Sequence, residues 1–177
     1  QPILGPKGDH PYMVPAAAIT LQAWGLGECI LKSDQEPAIG KLVEEVARQR
    51  ASEGHNCITT AAPRTSHASM SYVENGNRQV GNGVRVLKLQ LERGLGQRVP
   101  LHHPIMAWVV RHSGWLLVRF AVRQATGRTA YQVLRGRPYR GELAQIGEVV
   151  WGRLPGERRL KAEAQWRKGI WLGKTDR

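Results

Sequence analysis

The residue best placed to do chemistry is Asp34. It follows the short apolar run Cys29-Ile30-Leu31 and precedes Pro37, a residue suited to the first position of a helix. In open α/β sheets, reacting groups project from the carboxyl ends of strands. A carboxylate there can hold a hard divalent cation, because Mg²⁺ takes a few carboxylates and keeps water for the rest. Read locally, Ser33 or Asp34 equally suits the capping of the following helix. The second carboxylate of interest is Glu74, in Ser71-Tyr72-Val73-Glu74-Asn75. A Glu in a first helical turn otherwise compensates the helix dipole. The two lie 40 positions apart, so they act together only if the fold joins them.

Other chemistries have little support. His102-His103-Pro104 reads as a helix lead-in, and His112 sits inside a helical pattern. Cys29 and Cys57 show neither a C-x-x-C pair nor partner histidines at zinc spacing, and two cysteines make no disulfide framework. They read as buried small hydrophobes of a reducing compartment. There is no Gly-rich phosphate loop, nucleophile elbow or dinucleotide fingerprint, so no small-molecule cofactor is expected. The six Trp residues fall mostly at helix-core or strand spacing and read as packing.

Charge is the strongest signal in the composition. The 177 residues carry 26 Lys+Arg against 14 Asp+Glu, a net charge of +12. Residues 1–100 hold 11 Lys+Arg and 9 Asp+Glu, whereas residues 101–177 hold 15 and 5. Arg predominates in that second stretch, and its fork binds two phosphate oxygens at once. The balance is an electrostatic footprint for nucleic acid. A solvated basic face, or one that sits beside an acidic neighbour, would look the same. No apolar run approaches the roughly 20 residues that span a bilayer, so no membrane partner is expected. The chain opens on Gln1, with no charged segment leading into an apolar one. It therefore reads as a fragment or processed product without a visible signal peptide.

These residues need elements to hold them. Pro15 suits the start of a helix over Ala16–Trp24, and Glu28–Lys32 is a strand candidate. Ile39, Leu42, Val43, Val46 and Ala47 form one apolar stripe, which predicts a helix over Ala38–Arg50. Cys57–Thr60 reads as a strand and Ala61–Ser69 as a loop. Tyr72–Arg93 has helical character weakened by Gly76, Gly81 and Gly83, with Val84–Leu91 the firmer part. Pro104–Val122 is the strongest helix, with Ile105, Trp108, Val109, His112, Leu116 and Phe120 at three- and four-residue steps. A short helix follows from Gly127 to Leu134, then a turn at 136–141. Gly147–Arg153 and Gly169–Leu172 are strand-like. The expected fold class is α/β: a short sheet flanked by helices over residues 1–142, then a small β-rich module over 143–177. Two strand candidates cannot make a protected sheet, so strands are expected to be missing from this stretch or unrecognised in it.

Lys32-Ser33-Asp34-Gln35-Glu36-Pro37-Ala38 resembles the segment around the second catalytic Asp of copia-type LTR retrotransposon integrases, in the version carried by large dinoflagellate retroelement polyproteins. The lead-in Lys7-Gly8 through Pro11-Tyr12 and the run Leu26 to Leu31 are similar to the approach to that Asp. His103-Pro104-Ile105, Trp108 to His112, Trp115-Leu116-Leu117 and Arg119-Phe120 resemble the helix after the active site. Gly127 to Tyr131, Leu134 to Tyr139 and Gly147 to Trp151 follow in the family's order. Trp166 to Asp176 resembles a small SH3-like module. The resemblance covers nearly the whole chain.

The resemblance implies an RNase H-like core whose Asp, Asp, Glu triad holds two divalent ions, Mg²⁺ or Mn²⁺. Asp34 matches the second member. Glu74 matches the third: the family's Ala-Ser-Asn-Gly-x-Val-Glu run stands here as Ala68 to Glu74, with Met70-Ser71 in place of Asn-Gly. The first Asp lies upstream of the lead-in in the family, and Asp9 is not assigned to it. An incomplete core of this kind is expected to lack strand transfer on its own. Implied partners are DNA and further copies of the chain, and the implied location is the nucleus. The implied phosphate contacts are Lys32, Arg78, Lys88, Arg111, Arg119, Arg137 and Arg140. The competing expectation is a basic nucleic-acid-binding remnant, or a domesticated interaction domain, without catalysis. An unrelated ribosomal-type RNA binder is a distant third.

Overall fold

Helix α1 (Met13–Ala23) starts two residues before Pro15, so the proline falls in the first turn, where its missing N–H leaves no intrahelical bond unmade. The computed structural model describes residues 12–63, 70–153 and 165–174. The lead-in at 1–11, most of the expected 61–69 loop, and Thr175-Asp176 lie outside them. After α1 come strand β1 (Cys29–Ser33), helix α2 (Pro37–Ser52) and strand β2 (Cys57–Ala61). Pro37 occupies the start of α2 with its φ already helical, and the apolar stripe turns Val46 into the core. The strands pair in parallel, Cys29 opposite Cys57 through Ser33 opposite Ala61, and α2 is the crossover between them. Among the described residues no further strand joins this sheet, so both strands are at an edge.

The charged end of α2 is also in the core. Arg50 is fully buried, and its Nη2 donates to the carbonyls of Leu26 and Gly27, at 2.9 Å to the latter. Those carbonyls belong to the turn that delivers the chain into β1. A guanidinium out of water is costly unless its donors are used; Nη2 is used, whereas Nε and Nη1 have no hydrogen-bond partner among the described residues. Here it pins the α1–β1 turn to the far end of α2.

Helix α3 (Ser71–Leu95) is longer and more continuous than Gly76, Gly81 and Gly83 predict, and it runs through Gly94 as well. Helix α4 (Ile105–Phe120) packs on its second half through Leu87, Leu91, Met106 and Val109, with Val99 and Ile146 in the same cluster. The reason for Gly83 is a close approach. Ser113 Oγ of α4 donates to the Val80 carbonyl at 2.8 Å, and a Cβ on Gly83 would overlap that hydroxyl. Intrinsic helix propensity is a weak prior, and packing has overridden it.

The expected end of α4 is displaced. Ala121 is extended, and β3 (Val122–Arg123) turns back onto β4 (Arg128–Thr129) as a two-residue antiparallel ladder. Helix α5 (Ala130–Arg135) follows, opened by a Thr129/Gln132 capping box and closed by Gly136 at φ +70°. Strand β5 (Val149–Arg153) pairs antiparallel with β6 (Trp166–Ile170), which begins three residues earlier than expected. The described residues are thus mixed α and β, with three two-stranded sheets. The chain divides into two compact units inside α3, one running to Asn77 and the other from Arg78. Among the described residues no helix is long and apolar enough to cross a membrane.

Gly83 and Gly81 make a matched pair for test. Gly81→Ala meets open space and should stabilise the helix by about 0.5–1 kcal/mol. Gly83→Ala should cost about 1–3 kcal/mol through overpacking. Urea unfolding of both variants checks the opposite signs; equal effects would mean that α3 and α4 do not meet closely at Ser113.

Candidate nucleic-acid interface and acidic recess

Asp34 lies one residue beyond the carboxyl end of β1, where its residue type and position predict a reacting group. Two bonds build its turn. Asp34 Oδ1 accepts from the Glu36 N–H at 3.2 Å, and Gln35 Nε2 donates to the Ala62 carbonyl at 3.1 Å. Ala62 N–H in turn donates to the Ser33 carbonyl at 2.8 Å, so the turn is tied across to the end of β2. Asp34 therefore does serve locally, ordering the turn before Pro37. It is also exposed, and it lines an open recess of about 270 Å³ with Glu36, Glu44, Thr59 and Thr60. The donor atoms there are oxygens, the class a hard cation takes.

Glu74 stands in the first turn of α3 and is exposed. It is not among the residues that line the Asp34 recess. Among the described residues no three or more His, Cys, Asp or Glu side chains are grouped to hold a metal ion. The described residues alone thus do not group into a two-metal site.

The basic candidates separate by what surrounds them. Lys32, Arg78, Arg111, Arg137 and Arg140 are exposed. Arg111 leans over the Trp108 ring, 5.7 Å from its centroid. Lys88 instead pairs with Glu92 one turn on, and Glu92 also accepts from the Val99 N–H at 2.8 Å. Those bonds hold the Glu92 carboxyl below its usual range, the Lys88 hydrogen bond foremost. Arg119 is boxed by aromatic rings: its guanidinium lies 4.0 Å from the Trp115 centroid, 5.2 Å from Tyr131 and 5.6 Å from Tyr139. Both side chains have work within the unit that begins at Arg78.

That unit holds the charge. Residues 78–177 carry 20 Lys+Arg against 6 Asp+Glu, whereas residues 1–77 carry 6 against 8. Two surfaces of it combine cations with rings. Tyr131, Arg137, Pro138, Tyr139, Arg140 and Gly141 line a recess of about 430 Å³. The β5–β6 ribbon presents the other. Its register places Val149, Trp151 and Arg153 opposite Ile170, Lys168 and Trp166 on one face. Every one of the six is exposed, with Trp151 at 60% and Trp166 at 57%, and Lys168 Nζ sits 5.6 Å from the Trp151 ring. These two tryptophans are not packing residues, contrary to the reading from spacing. The signal in sequence was the alternation of Trp with Arg and Lys at period two.

Sequence reading also missed the cysteine pair. Cys29 and Cys57 are half-buried register partners with their sulfurs 3.4 Å apart. Burial pushes the Cys29 thiol up, as do the hydrogen bond and the charge of Cys57; Arg50 opposes them. His112, by contrast, is the interior residue its helical spacing implied. It is 4% exposed, stacks on Trp115 at 5.8 Å, and has no described hydrogen-bond partner at Nδ1. Gly173, at φ +116°, lies against the ring so closely that a Cβ would fall 2.7 Å from Nδ1.

No protein-family model matches the chain, and no curated protein matches it.

Burial lowers the His112 pKa, so the folded state holds the neutral ring while the unfolded chain takes up a proton near pH 6.5. The unfolded state then binds more protons as pH falls, and stability drops below about pH 6.5. The wild-type Tm should fall between pH 8 and pH 5 by more than that of His112→Gln. Parallel melting curves would disprove a buried neutral imidazole.

Proposed function

We propose that this chain is a nucleic-acid-binding portion of an integrase-like protein acting in DNA integration, and that the unit beginning at Arg78 holds DNA. The observation that carries the binding reading is the β5–β6 face. Two exposed tryptophans, Arg153 and Lys168 share it with no acidic residue among its six positions. Rings on a basic groove stack bases while cations track the backbone, with little dependence on sequence. Arg111, Arg137 and Arg140 add exposed cations in the same unit.

The finer reading is an incomplete RNase H-like core over 1–142 followed by an SH3-like module over 143–177. The position of Asp34 supports it: a carboxylate just past a parallel strand, in an open recess of oxygen donors. So does the open face of the parallel ladder, where Ile30 and Ile58 stand opposite each other, 67% and 56% exposed. Parallel sheets are normally covered on both faces. In a complete protein, Mg²⁺ or Mn²⁺ would supply the charge stabilisation for an in-line phosphoryl transfer. Asp34 would be a ligand, and Glu74 would join it only with the rest of the core. A non-catalytic basic remnant shares the binding surface and lacks the metal.

Two measurements separate these. Fluorescence anisotropy with labelled single-stranded DNA should show affinity falling steeply between 50 and 200 mM salt. Trp151→Ala and Trp166→Ala should each cost about 1–3 kcal/mol of binding. Arg153→Ala and Lys168→Ala should each flatten the salt slope by about 0.7. Unchanged binding in all four would remove the ribbon from the interface. Titration calorimetry with Mn²⁺ should give a heat in the wild type that Asp34→Asn lacks. Equal heats, or none in either, would favour the non-catalytic reading.

A further inference from the structure

Cys29 and Cys57 open their strands directly opposite one another, and their sulfurs lie 3.4 Å apart. Both are free thiols, and both are accessible in part. Neighbouring strands run about 4.7–4.9 Å apart, which lies inside the Cα separation a disulfide needs, about 4.4–6.8 Å. Bond formation therefore requires the sulfurs to close to about 2.05 Å by side-chain rotation, without moving a strand. The pair sits on the face of the ladder that also carries Leu31 and Ser33, opposite the face of Ile30 and Ile58. Between the two cysteines lie 27 residues, including all of α2.

We infer that Cys29 and Cys57 form a dithiol site that a hydroperoxide closes into a reversible intrachain disulfide. One thiolate attacks the peroxide oxygen, breaking the O–O bond to give a sulfenic acid and releasing water or an alcohol. The other sulfur attacks that sulfenic sulfur, forming the S–S bond and expelling hydroxide, which leaves as water with the remaining thiol proton. Two thiols are oxidised and one peroxide is reduced, and a dithiol reductant reverses the step. The link would tether the start of β1 to the start of β2, at the end of the ladder remote from Asp34. This inference does not depend on the nucleic-acid reading.

The native chain is treated with hydrogen peroxide, quenched, alkylated with iodoacetamide and weighed intact. The expected product is a monomer 2 Da lighter that takes no alkyl group and recovers both thiols in dithiothreitol. Its melting midpoint should rise by about 5 °C or more over the reduced chain, because the link constrains the unfolded segment. Cys29→Ser and Cys57→Ser preserve size and should each stop at a sulfenic acid that dimedone traps, with far-UV circular dichroism confirming the fold. Closure should be at least tenfold slower in 6 M urea, where the pairing is lost. Two free thiols after peroxide, a bridge between chains, or equal rates in urea and buffer would overturn the inference.

Discussion

No sheet among the described residues has more than two strands, so none can cover its own faces. Everything else in the structure answers to that constraint. In the unit ending at Asn77, α2 covers one face of the β1–β2 ladder, and the other is left open at Ile30 and Ile58. A ladder so thin needs its entry fixed from elsewhere, and Arg50 does this. Its guanidinium sits in the core and takes the carbonyls of the turn before β1. Replacing it by an apolar residue would free those carbonyls; keeping it costs desolvation of a charge.

The unit beginning at Arg78 solves the same problem with helices. Leu91 and Val109 are fully buried where α3 meets α4, and Ser113 and Gly83 let the backbones approach beside them. The small β pieces then hang on this pair. Ile146 enters its core, the Gly147 N–H donates to the Trp171 carbonyl, and the Trp171 N–H donates to the Glu148 carbonyl, beside the β5–β6 ribbon. The ribbon itself buries little, which is why its tryptophans stay in water. An antiparallel pair tolerates one wet face in a way that a parallel one does not. The exposed rings are thus compatible with the local fold, whereas the exposed isoleucines of β1–β2 ask for a cover.

How much of this was readable in the sequence depended on range. Local grammar located α2 from Pro37 and its apolar stripe, α4 from its three- and four-residue steps, and α5 from residues that punctuate helices. Asp34 was legible for the same reason, since a strand, a turn and a proline are contiguous. The misses depend on which residues the fold brings back together. The continuity of α3 rests on a hydroxyl 30 residues downstream of Gly83. The end of α4 is set by a hairpin that Val122 and Arg123 join only because Arg128 and Thr129 return to them. The cysteine pair is a matter of register between strands 28 residues apart, which no local pattern reveals.

Net charge misleads in the same way when it is read as a sum. Lys88 and Arg119 are cations by composition, yet one is absorbed by Glu92 and the other by three aromatic rings. Each stabilises the unit that carries it, so truncating either would mix lost packing with lost charge. Lys32, Arg78, Arg111, Arg137 and Arg140, with the ribbon's Arg153 and Lys168, remain at the surface. A phosphate backbone senses only charges it can approach within about a Debye length. On the proposed nucleic-acid reading, the exposed cations of the unit beginning at Arg78 that share a surface with exposed rings matter more than the total of +12.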